Sequence, residues 1–118
     1  MRKETLKIAT AFLRGVPAHA ARTSTDGENV LLHGHCIAWK GGNDDVQFSF
    51  RNWPTVTTRD RINGLLDVLG YSCFGVSQRD GEQWLVYNAK KVRKLATTGI
   101  AFCTGELDEI TYSPRRDK

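Results

Sequence analysis

Residues 46–70 have the sequence VQFSFRNWPTVTTRDRINGLLDVLG, and this stretch decides the fold class. Apolar and polar side chains alternate over its first five residues, which predicts a strand with one buried face. Trp53-Pro54 then predicts a bend. Beyond the bend, Thr57 or Thr58 is the predicted N-cap of a helix whose apolar residues recur every three to four positions and which ends at Gly70. A helix packed against antiparallel strands indicates the α+β class.

The sequence on either side of this stretch predicts a second helix and more strands. Turn residues separate short alternating segments, as in the hairpin predicted around Asp80-Gly81. The predicted elements are, in chain order, a helix over residues 3–14, a loop over 16–28, strands over 29–33 and 35–40, a turn over 41–44, a strand over 46–50, a helix from about 57 to 69, a hairpin over 71–78 and 82–88, a short basic helix over 89–96, strands over 100–103 and 109–112, and a polar tail over 113–118. We therefore expect an antiparallel sheet of about five strands packed by two helices, with a C-terminal extension over residues 88–118.

The inward-facing apolar residues of these elements form the predicted core. Its members are Phe12, Leu13, Leu32, Ile37, Trp39, Phe48, Phe50, Ile62, Leu65, Leu66, Leu69 and Trp84. The chain has 118 residues, of which 40% are hydrophobic, and this is enough for one core but not for two. We expect a single domain over residues 1–118.

Cysteine usage indicates a reducing compartment. Cys36, Cys73 and Cys103 are an odd, widely spaced set, which predicts free thiols rather than a disulfide framework. No signal-peptide pattern follows the charged N-terminus, and no apolar run approaches the roughly 20 residues of a membrane-spanning helix. We expect a cytoplasmic protein that makes no contact with a membrane.

The stretch from about Phe12 to Tyr87 resembles a group of small proteins encoded by tailed phages and prophages. Three pieces carry the resemblance, and they are TDG (25–27) leading into LHG (32–34) and IAW (37–39), then TVTTRDRINGL (55–65), then VSQ (76–78) before Gly81 and Trp84-Leu85. The resemblance implies a phage origin, a family-like core over residues 12–87 and a small α+β fold. It supplies no activity, and residues 88–118 continue beyond the point where the resemblance ends.

His33, His35 and Cys36 lie close together and invite a metal-site interpretation. Zinc takes about four nitrogen or sulfur ligands, and they usually come from paired short spacings that this sequence lacks. The favoured alternative places both histidines at strand ends and makes Cys36 a small buried hydrophobe. We expect neither a metal nor another cofactor.

The start of the second predicted helix offers hydroxyl and guanidinium groups that could bind a phosphate. Thr55, Thr57 and Thr58 lie beside Arg59 and Arg61, and a helix N-terminus attracts anions. The alternative is a simple cap followed by two solvated arginines.

Most of the +4 net charge lies in the last quarter of the chain. Lys90, Lys91, Arg93 and Lys94 form the densest basic run, which could contact phosphates or an acidic protein surface, or could simply keep the protein soluble. Among the tryptophans we expect only Trp53 to be exposed, because its neighbour Pro54 places it in a bend.

Catalysis has little support in the sequence. Neither a nucleophile elbow, nor a zinc-protease signature, nor a phosphate-binding loop is present, and a dyad of Cys36 with His19 has no local signature. We expect a non-enzymatic accessory protein that binds and inhibits a bacterial host or defence complex, such as a CRISPR-type complex, in the cytoplasm of an infected cell. The alternative is a nucleic-acid-binding protein. The expected partner-binding residues are Lys90, Lys91, Arg93, Lys94, Arg59, Arg61 and Trp53.

Overall fold

The predicted α+β class is confirmed by two helices and two antiparallel sheets in the part of the chain that the structure describes. The computed structural model describes residues 3–41, 46–71, 73–95, 100–103 and 110–113, with side chains as far as residue 95. The elements are α1 (Lys3–Arg14), β1 (Ala18–Ala20), β2 (Thr23–Thr25), β3 (Asn29–Leu32), β4 (His35–Lys40), β5 (Val46–Phe48), α2 (Val56–Val68), β6 (Phe74–Arg79), β7 (Glu82–Tyr87), β8 (Lys90–Leu95), β9 (Ile100–Cys103) and β10 (Ile110–Ser113). Neither helix is long and apolar enough to cross a membrane.

The strands of the described ranges form one large sheet and one small sheet. The large sheet has the order β1-β2-β3-β4-β5-β9-β10, and the small sheet has the order β6-β7-β8. After the small sheet the chain returns to the large one, where Ala101 of β9 lies opposite Phe48 of β5. The strands that follow residue 88 therefore belong to both sheets, and the strands outnumber the five or so that the sequence predicts.

One hydrophobic core is shared by the helices and both sheets. Its fully or almost fully buried members include Ile8, Phe12, Val30, Leu32, Ile37, Phe48, Phe50, Ile62, Leu65, Leu66, Val76, Leu85 and Leu95. Among the predicted core residues, Trp39, Leu69 and Trp84 are half-buried. Because Leu95 of β8 is buried in this core, strand β8 is anchored to the body of the protein.

Helix α1 presents a different face to the core from the one predicted. Leu13 is 50% exposed, so the expectation that it lies in the core is wrong, and Leu6 is also exposed, at 52%. The buried residues of α1 include Thr5, Ile8 and Phe12, which recur at the three-to-four-residue spacing of one helical face. Leu6 and Leu13 are seven residues apart and share another face, which points outward.

The predicted loop over residues 16–28 contains a hairpin instead. β1 pairs with β2, and Ala20 lies opposite Thr23 across a two-residue turn at Ala21 and Arg22. Ala21 has a φ of 53°, although neither turn residue is the glycine or asparagine that such turns favour. Alanine is also depleted in strands, so both usual signals of a hairpin are missing from this sequence.

The basic segment predicted as a helix over residues 89–96 is strand β8. Asn88 and Ala89 have φ values of 50° and 66° and form the turn of a hairpin in which Tyr87 pairs with Lys90. Two positive φ values are typical of a type I′ turn. Lysine, arginine and leucine favour helices, but only by about 0.5 kcal/mol per residue, so pairing with β7 and burial of Leu95 override this preference. Residues 42–44 of the predicted turn and 114–118 of the predicted tail lie outside the described ranges.

The Asp26-Gly27 turn fastens the loop before β3 to the end of α1. Backbone amides of Glu28 and Asn29 donate to the Asp26 carboxylate and lower its pKa. This stabilisation is present at neutral pH and is lost as the pH falls through the lowered pKa.

Gly27 has a φ of 98°, and a Cβ on it would lie 2.5 Å from the carbonyl carbon and oxygen of Gly15. Only glycine fits this contact.

We expect Gly27→Ala to lower the free energy of unfolding by more than the roughly 1–2 kcal/mol that a left-handed backbone costs an alanine. The added methyl group would also push against the Gly15 backbone. Gly81→Ala is the matched control, because Gly81 has a φ of 77° and no atom within 4 Å of the added methyl position. Chemical denaturation of both variants checks this, and an equal loss for the two would contradict the close contact.

Candidate functional site

Trp53 is the most prominent exposed aromatic residue of the chain as described, and its backbone is firmly held. Its indole is 51% exposed, as the sequence predicts. The Trp53 N–H donates to the Phe50 carbonyl at 2.9 Å. The Trp53 carbonyl accepts from the Thr55 amide at 2.9 Å and from the Thr58 hydroxyl at 2.8 Å. A large apolar side chain is therefore presented to solvent from a fixed position.

The turn that carries Trp53 is conformationally strained. Its central residues, Arg51 and Asn52, have φ values of 52° and 60°. Residues other than glycine adopt this region at a cost of order 1–3 kcal/mol, although asparagine tolerates it better than arginine. Strain of this kind is found preferentially at binding and catalytic sites, although the Asn88-Ala89 turn has the same pair of positive φ values.

Two pairs of side chains lie at this turn, His35 with Trp53 and Arg51 with Trp39, and we call these four residues the Trp53 patch. The His35 ring stacks on Trp53 with centroids 6.1 Å apart and planes at 21°. The Arg51 guanidinium lies 5.0 Å from the centre of the Trp39 ring, and its Nε donates to the Cys36 carbonyl at 2.7 Å. These contacts fix aromatic and cationic groups side by side.

The helix after Trp53 begins two or three residues earlier than predicted. Thr55, not Thr57 or Thr58, is the N-cap, with φ −90° and ψ 166°, and its hydroxyl accepts from the Thr58 amide at 3.1 Å. Thr55 has both properties that an N-cap needs, an extended backbone conformation and a side-chain oxygen. The Thr58 hydroxyl donates to the Trp53 carbonyl, so the hydroxyl groups of Thr55 and Thr58 in the predicted phosphate site are engaged at the start of the helix.

Arg61 is buried, so its side chain is not exposed for the partner contact that the sequence led us to expect. Its side chain is 5% exposed and forms an ion pair with Asp60 at 2.9 Å. Its Nε donates to the Thr23 hydroxyl at 2.8 Å, and its Nη1 donates to the Thr5 hydroxyl at 2.5 Å. Thr5 in turn donates to Asp60. This buried polar cluster joins α1, β2 and α2, and no alternation in the sequence could reveal it, because its four members come from three distant segments.

Arg59 and Asn63 connect α2 to the small sheet. Arg59 Nη1 donates to the Pro54 carbonyl at 3.0 Å and to the side-chain oxygens of Gln78 and Gln83, each at 3.1 Å. Asn63 accepts from the Val76 amide at 2.7 Å and donates to the Val76 carbonyl at 3.1 Å. The Asn63 side chain thereby forms hydrogen bonds with backbone groups on the unpaired edge of β6. This role explains why an asparagine lies in the middle of a helix. Arg59 is half-buried and is already engaged by the protein, so it is a weak candidate for partner contact.

The basic residues of β8 are exposed, as predicted, and they lie on an edge strand. We use the term basic strand for Lys90, Lys91, Arg93 and Lys94. Lys91 Nζ lies 4.6 Å from the centre of the Trp84 ring, and Lys94 forms an ion pair with Glu82. The Lys94 and Glu82 side chains are 60% and 42% exposed, so this pair is solvated and contributes little to stability.

The histidine and cysteine residues considered for metal binding have other contacts. His35 stacks on Trp53, and the Cys36 thiol lies 3.4 Å from the Ala38 carbonyl. Within the described ranges, no group of three or more histidine, cysteine, aspartate or glutamate residues is arranged to hold a metal ion. Within the described ranges Cys36 and Cys73 form no disulfide, and Cys103 lies among the residues whose side chains are not described.

Comparison with protein families matches residues 1–106 to the family described as Kyanoviridae Gp96 protein. The chain belongs to this family. It is therefore a member of a phage-encoded family, as the resemblance in the sequence implied. The match includes the basic strand and β9, which lie beyond the point near Tyr87 where that resemblance ended. Searches of curated proteins and of solved structures found no match.

Proposed function

We propose that this phage-encoded protein is a non-enzymatic binding protein that inhibits a bacterial host or defence protein complex, with the Trp53 patch as its main contact. The observation that carries the proposal is the exposure of Trp53 on a strained turn with a fixed backbone. The exposed indole adds little to the stability of the fold, and the two positive φ values cost stability, so an interaction that uses them gives the arrangement a reason.

The chemistry of the patch suits a protein partner. Tryptophan and arginine are over-represented among the residues that dominate protein–protein binding energy. Their contribution is largest when the side chain is already fixed, because less conformational entropy is lost on binding. Hydrogen bonds with Phe50, Thr55 and Thr58 hold the Trp53 main chain, and the stacked His35 ring contacts its indole.

The basic strand has a supporting role in this proposal. Its exposed cations would attract an acidic surface and speed encounter, while the patch would determine how long the complex lasts. The absence of catalytic motifs in the sequence supports a role in binding rather than catalysis. We place the action in the cytoplasm of the infected host, where free thiols are stable.

Affinity purification from infected host cells, with and without nuclease, tests the proposal. We expect a discrete host protein complex to co-purify with the protein after nuclease treatment, and we expect its activity to fall when the purified protein is added back. Recovery of nucleic acid alone, or loss of all partners with nuclease, would contradict it.

We expect Trp53→Ala to weaken binding of that complex by roughly 30-fold or more, the effect of removing about 2 kcal/mol from an interface. Leu13→Ala is the matched control, because Leu13 is equally exposed, at 50%, but lies on α1 outside the patch. Surface plasmon resonance with the purified complex measures both. Equal affinities for the two variants would show that Trp53 does not lie in the interface.

A second candidate function is binding of nucleic acid through the basic strand. The observation that favours it is the contact of the Lys91 ammonium group with the Trp84 ring. Cations and aromatic rings together contact phosphates and bases. If the protein binds nucleic acid in this way, its contacts are to phosphates and it has no sequence preference.

We expect replacement of Lys90, Lys91, Arg93 and Lys94 by serine to preserve the fold, because all four side chains are exposed. If nucleic acid is the partner, affinity should fall for all sequences alike and depend less steeply on salt, because fewer counterions are released. If an acidic protein surface is the partner, the association rate should fall more than the dissociation rate. Rates measured at two salt concentrations separate the two, and unchanged binding would exclude the basic strand from either interface.

A further inference from the structure

An apolar groove of about 480 Å³ lies between α1 and the residues that follow it. Leu6 and Val16 form its sides and are 52% and 45% exposed. Ala11 and Ala18 are among the residues lining it, and their small side chains leave room for an inserted group. The groove thus combines exposed apolar sides with a shape that accepts side chains, on the face of α1 that does not contact the core.

The groove is rigid because the end of α1 is fixed by a Schellman motif. The Val16 amide donates to the Ala11 carbonyl at 3.0 Å, and the Gly15 amide donates to the Phe12 carbonyl at 3.2 Å. This pattern brings the residue after the glycine against the last turn of the helix. Gly27 packs on Gly15 from the other side, so the segment that carries Val16 is held in place.

The polar residues around the groove have one sign of charge. Lys3, Lys7 and Arg14 line it, and no carboxylate is among its lining residues. Lys3 and Lys7 are one helical turn apart and are both exposed. An occupant that places apolar side chains in the groove would therefore gain from acidic residues on either side of them.

We propose that this groove is a second docking site, which binds an acidic segment of a partner protein that inserts apolar side chains between Leu6 and Val16. The inference goes beyond the function proposed for the Trp53 patch and does not depend on it. A concave groove with fixed sides favours a peptide over a lipid surface, because a bilayer meets a protruding apolar face rather than filling a recess.

Selection from a library of random peptides against the purified protein tests the site. We expect the selected peptides to combine apolar residues with aspartate and glutamate, and to bind the protein roughly tenfold more tightly than they bind Leu6→Ala. Leu13→Ala is the control, because Leu13 has the same exposure on the same helix but does not line the groove. Exchanging Lys3 and Lys7 for glutamate should weaken the peptides as strongly, and should leave the affinity for the host complex that the Trp53 patch binds unchanged.

Amide chemical shifts locate the bound peptide. Changes centred on Thr10, Ala11, Val16 and Ala18 are expected. Peptides without acidic residues, shift changes elsewhere, or equal affinity for Leu6→Ala and Leu13→Ala would overturn the proposal. So would Leu6-dependent binding to phosphatidylcholine vesicles that contain phosphatidylglycerol, since this would make the groove part of a membrane-binding face.

Discussion

Replacing Arg61 with alanine is expected to lower the free energy of unfolding by about 3 kcal/mol, the low end of the range for breaking a buried ion pair. The variant removes the donor that serves Thr5, Thr23 and Asp60 and leaves a carboxylate whose side chain is 23% exposed. Water can reach Asp60 in part, and for this reason we expect the low end of the range.

Chemical denaturation measures the effect, and Arg59→Ala is the matched control. Arg59 lies on the same helix and also donates hydrogen bonds, but it is half-buried and its acceptors Gln78 and Gln83 bond to each other. We expect the control to lose about 1 kcal/mol, the usual net value of a hydrogen bond. A loss for Arg61→Ala no larger than for Arg59→Ala would show that the polar cluster does not hold α1, β2 and α2 together.

Leu65→Ala is expected to lower the free energy of unfolding by about 2–5 kcal/mol, because the truncation removes buried methyl groups and leaves a cavity. Leu65 is 4% exposed and belongs to the shared core. Leu13→Ala serves as its control, since the same truncation at a 50% exposed site should cost no more than about 0.5 kcal/mol. A loss below about 0.5 kcal/mol for Leu65→Ala would exclude it from the core.

The sequence predicts those elements whose signals are local. The alternation in residues 46–50 and the spacing of Ile62, Leu65 and Leu66 identify β5 and α2, since a period of two or of 3.6 residues is visible without knowledge of the tertiary structure. Asp80-Gly81 identifies the β6–β7 hairpin for the same reason, because both residues adopt a positive φ.

The elements that the sequence does not predict depend on distant partners. β8 has the composition of a basic helix and becomes a strand because β7 offers an edge and the core accepts Leu95. Similarly, α1 has two apolar stripes, and only the packing of Ile8 and Phe12 decides which one is buried. Secondary structure and orientation at these positions are therefore decided by tertiary contacts.

The candidate site likewise has features that the sequence predicts and features that depend on distant contacts. Trp53 could be predicted to be exposed because Pro54 places it in a bend. The positive φ of Arg51 could not be predicted, because only its neighbour Asn52 is of a residue type that favours this conformation. Arg61 resembles a solvated arginine in the sequence, and only the approach of Thr5 and Thr23 makes it structural.

Photo-crosslinking beside Trp53 tests the central claim most directly. A photoreactive residue at position 56 leaves Trp53 intact, because Val56 is 65% exposed and lies three residues further along the chain. A matched variant carries the same group at the exposed residue Arg22, on the β1–β2 turn. After irradiation of infected cells and nuclease treatment, we expect mass spectrometry to identify one host protein complex linked to position 56 and absent from the position 22 sample. Crosslinks to nucleic acid alone, or the same proteins linked at both positions, would contradict the account.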